Sequence, residues 1–288
     1  MSERVLEVLR QMDVRNVVSA APVRHEEDDS CYDVWMVNAG ENSYVLKKAK
    51  GCEYSVYTGL LKHAESGVPR LIKAFRFGEE DYLLLEYVQG VDLCKCDRRK
   101  LTLVLDALIA LQERFWGKTE FDSVAVSFKE NLTHRKNRGE YLNDRELEIA
   151  YASFLALYSM LPRTLCHDDL LPFNVIITEH EAKLIDWETA GILPYPVPLA
   201  RLIAHGEDSA DAFFFMTDAD KRFAIDYYYM GLIQGKGIAY GEYRRALDAC
   251  LLYEYCEWIM LGVKYPNGDM TRYRKYREKA KQHIKNMA

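Results

Sequence analysis

Residues 165–191 read LCHDDLLPFNVIITEHEAKLIDWETAG, and the fold follows from this stretch. It holds two short apolar, β-like runs, residues 174–178 and 182–185, with Glu179, His180 and Glu181 between them. Each run has a carboxylate beside it. Asp169 lies five residues before Asn174, and Asp186 directly follows the second run. An apolar strand cannot solvate a charge, so such carboxylates collect at strand ends, in a shared cleft. Two carboxylates and the carboxamide of Asn174 are hard oxygen ligands, the donor set that a magnesium–phosphate site needs.

The spacing His167-x-Asp169-x-x-x-x-Asn174, followed by Ile185-Asp186-Trp187-Glu188, is similar to the catalytic and metal segments of kinases. In this form it resembles the aminoglycoside phosphotransferase and choline kinase superfamily, whose loops read roughly H-G/N-D-x-x-x-x-N and I-D-W/F-E. Protein kinases carry Arg between the His and the Asp and use D-F-G instead. The resemblance implies an α+β, bilobal, protein-kinase-like fold. An N-terminal lobe with an antiparallel β-sheet and a helix would span residues 1–89, and a larger, mainly helical lobe residues 90–288. It also implies ATP and Mg2+ as cofactors and a small-molecule hydroxyl as acceptor. Asp169 would accept or orient the hydroxyl proton, and Asn174 and Asp186 would hold the metal. His167 is expected to brace the loop rather than act as a base.

Composition agrees with such a chain. Its 288 residues, 49 % apolar, are enough to bury a sizeable core as one domain or two lobes. A net charge of −6 argues against a nucleic-acid partner and suits a cationic small molecule. The seven cysteines are odd in number and show no paired framework, and Cys94-Lys-Cys96 has no second Cys/His pair to complete a metal site. Free thiols in a reducing cytoplasm are the expectation. The charged N-terminus lacks the apolar core of a signal peptide, and no run approaches eighteen apolar residues.

Upstream of the loop, residues 2–12 place Val5, Leu6, Leu9 and Met12 on one face of an amphipathic helix. Residues 31–48 switch to strands: Tyr32, Val34 and Met36 alternate, residues 38–42 turn, and residues 43–47 form the next run. The resemblance makes Lys47 the phosphate-binding lysine, with Lys48 on the opposite face as the alternative. The preceding loop, residues 25–31, departs from the superfamily. It has no glycine to bring backbone N–H groups close to phosphate, and four acids stand in a row. Ser30 is its one small hydroxyl donor and the candidate phosphate contact; a solvated acidic loop is the competing reading. Residues 52–66 read as a helix with Val56, Leu60 and Leu61 inward; the resemblance implies that Glu53 in its first turn reaches back to Lys47, with a first-turn acid favoured by the helix dipole as the alternative. Residues 71–77 and 81–88 form a hairpin about Gly78. The segment Glu86-Tyr-Val-Gln-Gly-Val-Asp-Leu93 resembles the superfamily's interlobe hinge, which implies that backbone groups of Glu86 and Val88 meet a purine edge. The lobe boundary is placed near Gln89–Gly90.

Downstream, residues 101–116 are apolar all round, as in a central buried helix. Residues 117–142 are polar and read as an irregular surface excursion. Asn143 and Glu146 resemble a capping box opening a helix over residues 146–161. Pro194, Pro196 and Pro198 argue against strand or helix, which then resumes from Leu199. Superfamily members commonly carry Asp-Leu-Ala at this helix start, and that Asp braces the catalytic loop. Here Pro198 stands in its place, so the brace comes from elsewhere or is absent. Further helices are expected over residues 221–233, opened by Thr217 and Asp220, over 241–263, and over 271–287, the last a basic, solvated face.

The acceptor is less legible. His167-Asp168-Asp169 is nearer the choline kinase form. Trp187, Tyr253, Tyr255 and Trp258 are candidates for an aromatic cage around a quaternary amine, with ordinary helix packing as the alternative. Glu188, Glu207, Asp208, Glu254 and Glu257 suit a polyamine sugar equally well. An amino-alcohol kinase leads these expectations, and an aminoglycoside-type sugar kinase follows. A non-catalytic, kinase-like binding protein is the third, motivated by the glycine-free loop and the missing Asp.

Overall fold

The computed structural model describes residues 2–24, 30–264 and 270–287. It opens with helix α1 (Glu3–Gln11) and continues into strands β1 (Val17–Arg24), β2 (Cys31–Ala39) and β3 (Asn42–Lys48). A short helix α2 (Glu53–Ser55) follows, then strands β4 (Leu71–Phe77) and β5 (Glu80–Glu86). Among the described residues these strands form one antiparallel sheet in the order β1-β2-β3-β5-β4. Strand β5 is the key to its packing. Alternate residues leave opposite faces of a strand, so Tyr82 and Leu84 join Val5, Val8, Leu9 and Met12 of the α1 face, while Leu83 and Leu85 enter the main core. The α1 seam therefore uses Val8, where the sequence pattern placed Leu6, and Leu6 is only half-buried.

Two other expectations in this sheet region need correction. Strand β1 went unread, although it pairs along β2 from Val17 to Arg24; its VVSAAPVR pattern alternates weakly and contains a proline. The helix expected over residues 52–66 is regular only through Ser55 and loosens into a wide π-type turn at Val56–Leu60. Gly59, a poor helix former, sits inside that turn, where a Cβ would come within 2.9 Å of the Val124 side chain. Val56, Leu60 and Leu61 are nevertheless buried, as their spacing implied.

The remainder is mainly helical: α3 (Arg98–Phe115), α4 (Phe128–Gly139), α5 (Arg145–Tyr158), then the short strands β6 (Arg163–Cys166), β7 (Val175–Ile177), β8 (Ala182–Leu184) and β9 (Gly191–Pro194). Helices α6 (Val197–Ala204), α7 (Asp218–Tyr228), α8 (Tyr240–Lys264) and α9 (Met270–Met287) complete it. Helix α3 is central, with Leu101, Val104, Leu105, Leu108, Leu111 and Phe115 all buried. Strands β7 and β8 form the hairpin that the two apolar runs implied. Residues 87–90 lead from the sheet to this hairpin, where Val91 and Ile177 exchange backbone hydrogen bonds of 3.0 and 2.7 Å. Gly90 is needed there, because a Cβ would lie 2.5 Å from the Ile177 carbonyl oxygen.

Four readings of this part are corrected. Residues 117–142 are no irregular excursion: they contain α4, whose Asn131 and Arg135 are buried. Helix α5 is capped by Asp144, whose carboxylate accepts from the N–H groups of Glu146 and Leu147, and not by Asn143. The prolines exclude neither strand nor helix. Pro194 ends β9, and Pro198 occupies the first turn of α6, where its missing N–H costs nothing. Finally, α9 is not merely a solvated face, since Tyr276 and Ala280 are buried and the Tyr276 ring stacks on Trp258 at 5.5 Å.

Candidate active site

The end of β3 supplies Lys47. Its Nζ donates to Glu53 Oε1 at 2.8 Å and to Asp186 Oδ1 at 2.5 Å. One ammonium thus ties the sheet, helix α2 and the loop after β8 together. Lys48, its neighbour on the opposite face, pairs instead with Glu80 at 2.7 Å, outside the site. Glu53 is 1 % exposed. Its Oε1 also accepts from the backbone N–H of Trp187 at 3.3 Å, while its Oε2 has no hydrogen-bond partner among the described residues. The two partners titrate differently. Burial works against the Lys47 charge, but Glu53 and Asp186 together outweigh it and hold its pKa above the ordinary lysine value. For Glu53 burial wins over Lys47, and its pKa is raised.

Asp186 stands two residues past the end of β8 and has φ +68°, the left-handed region that Asp tolerates better than most residues. The turn sets its carboxylate against Lys47. The next residue, Trp187, is buried, donates from Nε1 to the Leu184 carbonyl at 2.9 Å and lays its ring on His167. The loop before α2 closes on this segment. Cys52 N–H donates to Glu188 O at 3.0 Å, and Gly51, at φ +52°, leaves no room for a Cβ, which would sit 2.2 Å from that oxygen.

The loop between β6 and β7 carries the other half of the site. His167 accepts at Nδ1 from the Asp169 N–H (3.3 Å), so its Nε2–H donates to Ile185 O (2.7 Å). Burial lowers its pKa, which favours this neutral tautomer. With both nitrogens engaged by the backbone, His167 braces the loop and is not placed to act as a base. Asn174 Nδ2 donates to the Asp169 carbonyl at 2.9 Å and lies 3.4 Å from its Oδ2. Ile185 N–H donates to Asn174 O at 3.0 Å, which fastens the start of the hairpin to the strand end bearing Asp186.

Asp169, Asn174 and Asp186 are therefore joined by one hydrogen-bonded loop–hairpin unit, and Lys47 and Glu53 meet it from the sheet side. The other expected nucleotide contacts sit on other segments. Glu86 ends β5 with its N–H donating to Arg70 O at 3.0 Å, and Val88 follows, half-buried, just past the strand. Ser30 is exposed at the start of β2; residues 25–29, the rest of the expected phosphate loop, lie outside the described residues.

Sequence reasoning missed two arginines. Arg201 on α6 donates from Nη2 and Nε to Asp169 Oδ1, at 2.7 and 3.1 Å. Its Nη1 donates to Glu254 and Glu257 of α8, at 2.9 and 2.8 Å. Arg135 of α4 is buried, pairs with Asp168 and lies over the Tyr253 ring at 3.9 Å. A signal existed for Arg201: it is the one polar residue in VPLARLIA, and a charge in an apolar helix requires a partner. The aromatic residues do not gather into one cage. Trp187 packs on His167, Tyr253 on Phe154 and Arg135, Tyr255 on Tyr276 and His283, and Trp258 on His205 and Tyr276. Of the acids, Glu254 and Glu257 are taken by Arg201, and Glu207 pairs with Lys275. Glu188 is half-buried, and burial, with Asp186 nearby, raises its pKa.

A model of the phosphotransferase enzyme family matches residues 19–228. The chain belongs to this family. No curated protein matches the sequence. Among solved structures, a choline kinase from Streptococcus pneumoniae superposes with a TM-score of 0.64 at 14% identity, covering 98% of this chain and 100% of that one. An ethanolamine kinase from Plasmodium vivax gives 0.62 at 12% identity, with 99% and 89% covered. An aminoglycoside phosphotransferase solved with ADP and hygromycin B gives 0.60 at 15% identity, with 97% of each chain covered. At these identities the likeness concerns the fold, which is the bilobal kinase-like architecture: an N-terminal antiparallel sheet and a larger helical part.

No helix among the described residues is long and apolar enough to cross a membrane. Nor do three or more His, Cys, Asp or Glu side chains among them form a metal cage. A cation held by Asp186 and Asn174 would complete its shell with phosphate oxygens and water, which is how magnesium is usually bound.

Proposed function

We propose that this phosphotransferase moves the γ-phosphoryl group of ATP to a hydroxyl of a small, cationic molecule, in the first place an amino alcohol of the choline or ethanolamine kind. The observation that carries the reading is the convergence of Lys47, Glu53 and Asp186 with the Asp169–Asn174 loop. A phosphoryl donor needs a fixed cation, hard oxygen ligands and an acceptor for the attacking hydroxyl's proton, and these residues supply all three.

Lys47 neutralises phosphate charge and Glu53 holds it in place. The donor chemistry fits Mg2+, which Asp186 and the side-chain oxygen of Asn174 would hold; bound there, it neutralises charge on the phosphates. Asp169 accepts or orients the proton of the acceptor hydroxyl, a role that requires the hydroxyl to sit within hydrogen-bond reach of its carboxylate. Backbone groups of Glu86 and Val88, in the segment joining residues 1–89 to residues 90–288, contact the purine edge, and Ser30 a phosphate. Asp169, Asp186 and Glu188 give the cleft the negative character that an ammonium-bearing acceptor favours. The loss of a four-ring aromatic cage weakens recognition by cation–π contacts, so carboxylates carry more of the burden.

The test is a thermal-shift and ADP-release screen with Mg-ATP against amino alcohols and aminoglycosides. A nucleotide at a hundred times its dissociation constant adds about 2.7 kcal/mol, or about 5 °C at roughly 2 °C per kcal/mol for a chain of this size. No shift with Mg-ATP or Mg-GTP would favour a non-catalytic binding protein. Turnover with aminoglycosides and none with amino alcohols would reassign the acceptor.

A further inference from the structure

We propose that Arg201 is a positioning residue for phosphoryl transfer: it fixes Asp169 through Oδ1, turns Oδ2 toward the acceptor hydroxyl, and couples the catalytic loop to α8. This rests on the phosphotransfer reading above. Three nitrogens of one planar group hold the geometry. Nε and Nη2 both bond Asp169 Oδ1, and Nη1 bonds Glu254 Oε2 and Glu257 Oε2. A guanidinium pinned on two edges cannot rotate, so the oxygen it grips cannot rotate either. Among the described residues Asp169 Oδ2 has only the weak 3.4 Å approach of Asn174. One oxygen is thus locked and the other is the free acceptor.

The anchors are firm. Glu254 is 2 % exposed and Glu257 11 % exposed, and each has a second partner, His205 for Glu254 and Arg138 for Glu257. Burial alone would raise the Glu254 pKa, but Arg201 and His205 outweigh it and lower it, whereas burial and Glu254 itself raise that of Glu257. Charge balance matters as much as geometry. Arg201 shares its charge with two glutamates, which leaves the Asp169 carboxylate less neutralised than in an isolated ion pair. The arrangement also answers the absence of an acid at position 198. Arg201 lies one turn along the same helix and grips the loop from there.

A bare salt bridge would support folding without touching the chemical step, and the experiment separates the two. Intrinsic hydrolysis of Mg-ATP, with water as acceptor, is followed for the parent, Arg201→Ala and Arg201→Lys. Since Arg201→Ala leaves two glutamates without their cation, the triple variant Arg201→Ala/Glu254→Gln/Glu257→Gln is assayed as well. The expected result is a fall in kcat of about a hundredfold, the usual cost of a misplaced catalytic group. KM for Mg-ATP should be unchanged, recovery by lysine partial, and rescue of Arg201→Ala by low, non-denaturing guanidinium chloride clear. Parental kcat in the Ala or triple variant overturns the proposal, as does a loss shared between kcat and KM with no guanidinium rescue. A parent that turns over Mg-ATP neither with water nor with any acceptor of the screen overturns the phosphotransfer reading itself, and this inference with it.

Discussion

Asp169→Asn is the substitution that most directly tests the loop. The side chain touches Arg201 through Oδ1 and approaches Asn174 through Oδ2, and it is 33 % exposed. Its contribution to stability is therefore that of a partly screened ion pair, about 1 kcal/mol, or roughly 2–4 °C in Tm. Asparagine keeps one oxygen for Arg201 and puts an amide where the hydroxyl proton must be received. General-base assistance is worth about a hundred- to ten-thousand-fold, which is roughly 3–5 kcal/mol of barrier. Nucleotide affinity should hardly change, since Lys47 bonds Glu53 and Asp186 rather than Asp169. The assay is steady-state ADP release with the acceptor found by the screen, beside calorimetric titration of Mg-ATP and a thermal melt of the same protein. The kinetic effect exceeds the stability effect by about 2 kcal/mol or more, so the two readings separate. A folded Asp169→Asn protein with near-parental turnover refutes the assigned role, and equal losses of affinity, turnover and Tm would make the carboxylate structural.

Asp186→Asn removes a carboxylate from the expected cation site, and calorimetric titration should show weaker Mg-dependent ATP binding; identical affinity would exclude Asp186 as a metal ligand. Lys47→Met strands Glu53 in a buried site at a cost of about 3–5 kcal/mol. The sign of its pH dependence follows from the raised pKa of Glu53. The folded state binds the Glu53 proton more tightly than the unfolded state, so stability is retained in acid and lost as pH rises through the folded pKa. Melts of Lys47→Met and parent should therefore converge toward pH 4 and diverge near neutrality; a gap independent of pH would refute this. Arg135→Ala leaves Asp168 without its buried cation and opens a void against Tyr253. Urea denaturation should show a loss of about 3–5 kcal/mol, and an unchanged midpoint would mean that this pair does not support the loop.

Much of the fold was legible because the signals are local. The two apolar runs became β7 and β8, since three-residue strands flanked by turn residues leave few alternatives. Helices α3 and α8 were long and apolar enough to read without tertiary knowledge. Where reading failed, a distant contact decided. Helix α4 has little apolar periodicity in FKENLTHRKNRG, and its buried face is polar: Asn131 bonds Asp168 and the Tyr158 hydroxyl, and Arg135 bonds Asn131 and Asp168, although its Nη1 has no hydrogen-bond partner among the described residues. A hydrophobicity pattern cannot register a helix packed through hydrogen bonds. The basic α9 misled in the same way, because Arg277 and Lys281 look solvated in sequence yet both reach Asp144 at the start of α5.

The site divides along the same physical line. Asp169, Asn174 and Asp186 share one hairpin, so their spacing carries their geometry. Lys47 and Glu53 were placed by six residues of separation, which the β3–α2 turn converts into a 2.8 Å contact. Arg201 depends on partners 32, 53 and 56 residues away. No local pattern encodes that grouping; only the burial of an arginine among apolar neighbours hints that acids must come to meet it. Assigning Glu254 and Glu257 to a cationic substrate was reasonable while they looked like free acids on α8. Their cation proves to be the protein's own Arg201, so on the proposed function any carboxylate that meets a cationic acceptor has to be another one. Glu188 is one candidate: it lies two residues from Asp186, is half-buried, and has its pKa raised by burial and by Asp186.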